Sequence, residues 1–439
     1  MRDFSHNARS LALRALSLVD AGRPVQSVFQ VLNLSRLSSV ERRLVSDLVY
    51  GCLRTEMRIH FLLSRVLPFP EKLPRGFLHI LELAVYAMLF QEKVPDYAAV
   101  STAVAQARRL FGIRLAGVAN AALRKLQGFG DLLFSLDFYC DGAVSCGDSH
   151  IALSRFYSLP PWLVSFWFDA YGPAAALAII KRSFARPWTG LRLNPAHSSA
   201  SRLRAALLRL CDDHVVPLSP WGFAVAPHHS PSHICGETLL YWQDAGALAF
   251  QSAGSQVILE ELGVYDWEEP VWDACAGYGG KASALRERGI RVCLCTDISL
   301  QRLAALACRF GRRCELPVVL ADCRCPPLAG FRGHILLDAP CSGLGILARR
   351  PDIRRARADA ASLSRYAALQ KLLLQRLAGL LQPGFELAYI TCTLAPAENE
   401  DMVQTCLAAD ASLRLVRQWQ TPHEHPWLEG MFGAILRKN

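Results

Sequence analysis

Two cysteines stand at the ends of short apolar runs, in Asp338-Ala339-Pro340-Cys341-Ser342-Gly343 and in Thr391-Cys392-Thr393. A thiolate is a strong nucleophile that also leaves readily, so it suits reversible addition to an electron-poor ring. Carbon 5 of a pyrimidine is too weakly nucleophilic to be alkylated until a nucleophile adds at carbon 6 and creates an enamine. A cysteine doing this needs its pKa brought down from about 8.5, by a helix N-terminus or a nearby cation. A cysteine is equally at home as a small buried hydrophobe. Cys293, Cys295, Cys308, Cys314, Cys323 and Cys325 read that way, several of them lying in strands or helices with no acid or turn arranged about them. The pairs 293/295 and 323/325 lack a second ligand pair at zinc spacing, so no metal is expected.

The second constellation is Asp273-Ala274-Cys275-Ala276-Gly277-Tyr278-Gly279-Gly280-Lys281, which leaves an apolar run and enters a helical one. Glycines there let backbone amides approach a ligand at the place where open α/β sheets bind nucleotides. Asp297 follows at the end of the next run, where a carboxylate can take hydrogen bonds from two ribose hydroxyls, and Asp322 ends the third run in the same way. The loop lacks the terminal Lys-Ser/Thr pair of a phosphate loop and the full dinucleotide glycine pattern. A nucleoside without a pyrophosphate fits better, and S-adenosylmethionine is the commonest. A tight turn followed by helix N-caps is the plainer alternative for the same residues.

These residues must be positioned by strands and helices, and the sequence divides accordingly. Residues 5–128 are helical in period, with Ala8, Leu11, Ala15 and Leu18 on one stripe and Val100, Val104, Ala107 and Phe111 on another. Glycines and scattered acids mark 129–150 as a linker, and 151–262 reads as a mixed α+β segment. Over 263–439 the rhythm becomes strand, turn, helix, with strands expected at Val271–Cys275, Val292–Thr296, Val318–Leu320, Ile335–Leu337 and Leu387–Ile390. That pattern predicts a parallel α/β sheet covered on both faces. The 439 residues are 52% hydrophobic and 20% charged, which excludes long disorder, and the net charge of +10 favours a polyanionic partner. Fifteen cysteines, an odd number without small-scaffold spacing, suit a reducing compartment. Neither a signal peptide nor a membrane span is expected, so the reading is a soluble cytoplasmic protein. Arg349, Arg350, Arg354, Arg355 and Arg357 form a basic run after Cys341, suited either to a solvated helix face or to phosphate contacts.

Taken together, the motifs resemble the RsmB (Sun/Fmu) family of ribosomal RNA cytosine-5 methyltransferases. Its first loop usually reads Cys-Ala-Ala-Pro-Gly-Gly-Lys, from which this chain departs at Gly277 and Tyr278. The motifs around Cys341 and Cys392 match, as does Arg349-Arg350-Pro351-Asp352-Ile353. Leu48 to Thr55 and Gly117 to Leu123 are similar to a NusB-type RNA-binding domain, and Gly430 to Arg437 to the family's last strand. The resemblance implies an all-α NusB-like domain followed by a Rossmann-like methyltransferase domain. It further implies S-adenosylmethionine as cofactor and small-subunit (16S) ribosomal RNA as partner; the oligomeric state is left open, with a monomer favoured. Cys392 would attack cytosine, Cys341 would help release the product, and Asp338 would contact base or cofactor. Cys275, Ala276, Gly277, Tyr278, Gly279, Gly280 and Lys281 would form the cofactor loop, with Asp297 on the ribose and Asp322 on the adenine. Arg349 and Arg350 would contact RNA. DNA cytosine-5 methyltransferases carry their nucleophile in a Pro-Cys pair like Pro340-Cys341, but Thr391-Cys392 favours the RNA type. A non-catalytic RNA-binding or ribosome-assembly factor with an altered cofactor loop is the alternative.

Overall fold

The computed structural model describes residues 7–32, 34, 37–140, 149–310, 316–356 and 359–439. Cys314, Arg357 and residues 141–148 of the expected linker lie outside them. The chain forms two compact units, Met1–Phe184 with Arg350–Asp359, and Ala185–Arg349 with Ala360–Asn439.

The first unit is all-α. Its helices Ala8–Asp20, Val25–Val31, Ser39–Val66, Arg75–Phe90, Asp96–Phe111 and Ile113–Gln127 bury the stripes that the sequence marks, including Ala8, Ala15, Val100 and Ala107. The longest begins with a capping box, in which Ser38 Oγ accepts from the Glu41 amide at 3.2 Å and Glu41 Oε2 accepts from the Ser38 amide at 2.9 Å. Helix Arg75–Phe90 buries His79 and Glu82 along with its apolar residues. Both have polar partners, His79 with Asp20 at 2.8 Å and Glu82 with Arg75 at 2.7 Å and His60 at 2.9 Å.

This unit extends well past residue 128. Residues 130–134 and 136–139 are 3-10 turns that bury Leu133 and Tyr139 rather than a free linker. The buried Arg58 explains the difference, since its guanidinium donates to the Tyr139 hydroxyl at 2.8 Å and to the Leu133 carbonyl at 2.7 Å. Cys140, at the end of these turns, is disulfide-bonded, against the expectation of reduced thiols. Helix Pro161–Phe184, expected in the mixed segment, also belongs here, and Phe184 packs on Phe90 and Tyr157. It is long and apolar enough to cross a membrane by composition. Gly172, at φ 76° and followed by Pro173, breaks it into two pieces, each far short of the ~20 residues a span needs.

The second unit holds two main sheets. The smaller is antiparallel, with order β2-β3-β1-β6, where β1 is Thr189–Leu193, β2 Val215–Ser219, β3 Gly222–Val225 and β6 Leu248–Phe250; β4 (His233–Ile234) and β5 (Glu237–Thr238) form a separate hairpin. The larger contains β7 (Val271–Asp273), β8 (Val292–Asp297), β9 (Val318–Leu320), β10 (His334–Asp338), β11 (Glu386–Thr391), β12 (Leu413–Gln420) and β13 (Phe432–Lys438) in the order β12-β13-β11-β10-β7-β8-β9. Strands β7 to β11 are parallel, whereas β13 joins β11 antiparallel and β12 joins β13 antiparallel, so the sheet is mixed at one edge. The continuous apolar runs are explained by burial on both faces. Ile335, Leu337, Leu387 and Tyr389 enter one core, while Leu336, Ala388 and Ile390 enter the other.

Parallel pairing puts the carboxyl ends of five strands along one edge, and the strand order reverses between β7 and β10. Asp273, Asp297, Asp338 and Thr391 end four of these strands.

Gly190 marks a close backbone approach between β1 and the segment after β6. A Cβ there would lie 1.9 Å from the Gln251 carbonyl oxygen. Gly190→Ala is therefore expected to destabilise the second unit by about 1–3 kcal/mol. A lowered midpoint in thermal unfolding followed by tryptophan fluorescence is the expected result, and an unchanged midpoint would contradict this packing.

Candidate active site

The glycine loop is shaped by the strands on either side of it. Ala274 donates to the Leu336 carbonyl and Ala276 to that of Thr296, both at 2.9 Å, so the loop is pinned to β10 and β8. Gly277 and Gly279 then take φ values of 55° and 74°, a region open to glycine but costly for other residues. Asp297 fixes the turn, because its Oδ2 accepts from the Gly277 amide at 2.9 Å and its Oδ1 from the Ser299 amide at 2.8 Å. From β1, the buried Arg192 donates to the Gly280 carbonyl at 3.1 Å and is bound by both oxygens of Glu287, at 2.8 and 2.7 Å, which anchors the helix Gly280–Glu287.

Beside this loop lies a cavity of about 330 Å³. It brings together Cys275, Asp297, Asp322 and Asp338 of the expected cofactor residues, over an apolar wall that includes Ile298 and Leu369. Asp322 is bound by the Arg324 guanidinium at 2.6 and 2.8 Å, which holds its carboxyl below the usual range. Tyr278 is half-exposed at the tip of the loop, and a side chain added at Gly277 or Gly280 would meet only open space. S-adenosylmethionine fits these residues. The cavity offers carboxylates to ribose hydroxyls and to the adenine amine, and an apolar wall to the ring.

The buried Lys281 points from the first turn of its helix to the partly exposed Asp338, with which it forms an ion pair. Burial alone would discharge the amine, but Asp338 and Cys392 face it and hold its pKa above the ordinary lysine value. The thiols of Cys341 and Cys392 are 3.3 Å apart, and the Cys392 amide donates to Cys341 Sγ at 3.4 Å. The contact with Cys392, together with burial, pushes the Cys341 thiol well up.

What sets this spacing is a group of buried residues absent from the sequence-based site. Glu398, with no exposed surface, accepts at Oε2 from the Ser342 amide and from Gln370 Nε2, each at 2.8 Å. Gln370 also donates to the Pro340 carbonyl at 3.0 Å. On the other loop, Asn399 accepts from the Thr391 hydroxyl at 2.6 Å and donates to the Thr393 carbonyl at 3.1 Å. The Ser342 and Thr393 hydroxyls meet at 2.6 Å. The two cysteine loops are thus locked to each other. Their signal in the sequence was the polar run Glu398-Asn399-Glu400 just after Thr393, too short to stand out alone.

The arginines after Cys341 are engaged by their own chain. Arg349 donates to Glu429 and, at 2.7 Å, to the Trp188 carbonyl, while Arg350 is held by both oxygens of Asp352 at 3.0 and 2.9 Å. Arg354 donates to the carbonyls of Arg54 and Ser183, and Arg355 pairs with Glu56 and Asp20.

Asp273 is buried at the end of β7, and its Oδ1 has no hydrogen-bond partner. Burial, reinforced by the charge of Asp338, pushes its carboxyl up to about 7. An unfolded aspartate titrates near about 3.9. The folded state therefore retains a proton that the unfolded state has lost, and this contribution, full at low pH, is lost as pH rises from about 4 to about 7. Relative to Asp273→Asn, the wild type is expected to lose stability across that window. Thermal unfolding of both proteins from acid to neutral pH checks it, and parallel curves would refute it.

Comparison with known proteins agrees with this geometry. A family model described as 16S rRNA methyltransferase RsmB/F matches residues 264–430, and a NusB family model matches residues 6–128. A probable ribosomal RNA small subunit methyltransferase B from Synechocystis sp. is 30% identical over 470 residues, covering 98% of this chain and 99% of that protein. The ribosomal RNA small subunit methyltransferase B of Proteus mirabilis is 29% identical over 445 residues, covering 99% of each. In fold, a crystal structure of a methyltransferase homolog protein from Pyrococcus horikoshii is similar with a TM-score of 0.55 at 22% identity, covering 67% of this chain and 100% of its own. With relatives matched from end to end, and residues 6–128 and 264–430 each recognised by a family model, the chain belongs to the RsmB family of S-adenosylmethionine-dependent methyltransferases.

Proposed function

We propose that this protein methylates carbon 5 of a cytosine in small-subunit ribosomal RNA, in the cytoplasm, with Cys392 as nucleophile. The observation that carries the reading is the pair of thiols 3.3 Å apart beside the cofactor cavity, with a buried ammonium facing one of them. A cytosine must leave its stack to reach such a site. S-adenosylmethionine, when bound, supplies an electrophilic methyl group to carbon 5.

The chain's own residues prepare the ring. Cys392 Sγ adds to carbon 6, which moves the electrons of the 5,6 double bond toward carbon 5. Lys281 turns its ammonium toward the same sulfur. Once carbon 5 carries the methyl group, its proton passes to water and the Cys392–carbon 6 bond breaks, restoring the double bond and the free thiolate. Cys341, pushed up and so kept as a thiol, is placed to donate a hydrogen bond to the departing sulfur. The 3.3 Å spacing of the two sulfurs supports a division of roles, with Cys392 as nucleophile and Cys341 as the group assisting release. Asp338 holds Lys281 in place at the shared edge.

Labelled methyl transfer to small-subunit RNA lacking its own modifications tests the reading. Cys392→Ala is expected to abolish transfer, and Cys341→Ala to accumulate a covalent protein–RNA adduct visible on a denaturing gel. Transfer surviving in Cys392→Ala but not in Cys341→Ala would assign the DNA-type arrangement. No transfer by the wild type on any RNA would instead favour a non-catalytic RNA-binding factor.

The Glu398 lock makes a separate prediction. Glu398→Ala leaves the Ser342 amide and the Gln370 side chain short of a partner inside the protein, at about 1–3 kcal/mol. Loosened loops are expected to slow methyl transfer roughly a hundredfold, with cofactor affinity by calorimetry unchanged. Normal turnover in this variant would show that the spacing is set elsewhere.

A further inference from the structure

The two thiols of the site are placed for a second reaction that methylation does not use. Cys341 and Cys392 are both reduced and both partly exposed, and their sulfurs are 3.3 Å apart. A disulfide needs sulfurs at about 2.05 Å and α-carbons roughly 4.4–6.8 Å apart. The backbones are held side by side before and after the cysteines. Before them, β10 and β11 pair as neighbouring strands, about 4.8 Å apart in any sheet, and the Ala339 amide donates to the Ile390 carbonyl at 2.8 Å. After them, the Ser342 and Thr393 hydroxyls meet at 2.6 Å. Only about 1.2 Å of side-chain movement separates the contact from a bond.

A small buried hydrophobe is the plain role of a cysteine, and Cys52 and Cys406 fill it, shut away from solutes. Cys341 and Cys392 differ in touching each other and in reaching solvent. Assisting product release accounts for their contact. The same contact leaves the nucleophile beside a thiol that can resolve it once it is oxidised.

We infer that Cys341 and Cys392 close reversibly into a disulfide when a hydroperoxide oxidises Cys392, and that this bond switches methyl transfer off. Loss of activity rests on the reading of Cys392 as nucleophile, whereas formation of the bond rests on the geometry alone. Cys392 Sγ attacks the peroxide and the O–O bond breaks. The sulfur keeps one oxygen as a sulfenic acid, and the other takes the thiol proton and leaves as water. Cys341 Sγ then attacks Cys392 Sγ, the S–O bond breaks, and the departing hydroxide takes the Cys341 proton as a second water. Two electrons have passed from the two thiols to the peroxide. A small dithiol reverses the bond by exchange and is itself left as a disulfide. With no thiol in contact, the sulfenic acid would go on to a sulfinic acid, which thiols do not reduce. A transient, regulatory bond of this kind is the usual form of disulfide in a reducing compartment.

The test treats the full chain with hydrogen peroxide, maps its disulfides by mass spectrometry of unreduced peptides, and follows labelled methyl transfer before and after dithiothreitol. A Cys341–Cys392 peptide pair is expected to appear as methyl transfer is lost, and dithiothreitol is expected to restore both thiols and the wild-type rate. Unchanged affinity for S-adenosylmethionine by calorimetry is expected in the oxidised protein, which shows that it is folded. In Cys341→Ala, peroxide is expected to carry Cys392 to a sulfinic acid that dithiothreitol does not reverse. Cys140→Ser is expected to follow the wild type, which separates this bond from the disulfide of the helical unit. Methyl transfer by the reduced protein, with no Cys341–Cys392 bond after peroxide, overturns the switch and leaves the enzyme reading in place. A bond that forms while methyl transfer continues refutes both the switch and Cys392 as nucleophile. A bond that forms and reverses in a protein that transfers no methyl group even when reduced supports the disulfide and refutes the catalytic reading alone.

Discussion

The site depends on one buried carboxylate. Glu398 accepts from the Ser342 amide and from Gln370, which itself holds the Pro340 carbonyl. Without such a tie the Cys341 and Cys392 loops would be two independent turns at the ends of neighbouring strands. Parallel pairing of β10 with β11 brings the loops to the same edge, with Asp338 opposite Ile390. A sheet fixes position only to the spacing of its strands, about 4.8 Å. Bringing two sulfurs to 3.3 Å needs further forces, and the hydrogen bonds from Glu398, Gln370 and Asn399 supply them. Buried polar groups of this kind are costly to leave unsatisfied, so a nearly complete network also specifies a single arrangement.

The same economy of position governs the charges. Lys281 is buried, yet it stays charged because Asp338 and Cys392 lie on its open side. Lys281 follows the glycine turn, Asp338 ends β10 and Cys392 follows β11, so three separate chain segments create one electrostatic environment. Cofactor loop and nucleophile are thereby coupled: the helix that begins at Gly280 carries the cation that faces the thiol. Departure from the family's usual loop at Gly277 and Tyr278 leaves this coupling intact. The positive φ at Gly277 and the hydrogen bond from its amide to Asp297 show that the turn closes without a proline.

The strands and the motifs at their ends were legible in the sequence because each carries a local signal. A buried parallel strand reads as an apolar run, and the glycines and acids that follow mark its carboxyl end. All five expected strands are present, and Cys275, Asp297, Asp322 and Asp338 do meet around one cavity. The antiparallel β12 was not legible, since an edge strand with Arg414, Arg417 and Gln418 turned outward lacks an apolar run. Glu398, Gln370 and Arg192 were hidden for another reason. Each acts on a residue tens to nearly ninety positions away, and nothing in the local pattern distinguishes a buried carboxylate from a solvated one.

Domain limits were the least legible feature, and the reason is physical. The stretch Arg350–Asp359 lies between the Cys341 loop and the helix Ala361–Leu380, both in the second unit, yet it packs as part of the helical unit. Its basic residues, which by composition suit a solvated face or a phosphate, satisfy groups there: Arg354 takes the Ser183 carbonyl at 2.7 Å, and Arg355 joins the acids Glu56 and Asp20. Glu56 and Asp20 hold negative charge partly buried in the bundle, and Arg355 joins Arg75 in matching it. The helical unit is consequently discontinuous in sequence and is completed only after most of the catalytic strands have been made. A chain of this kind folds its first helices early and closes their charge network late, when residues hundreds of positions downstream become available.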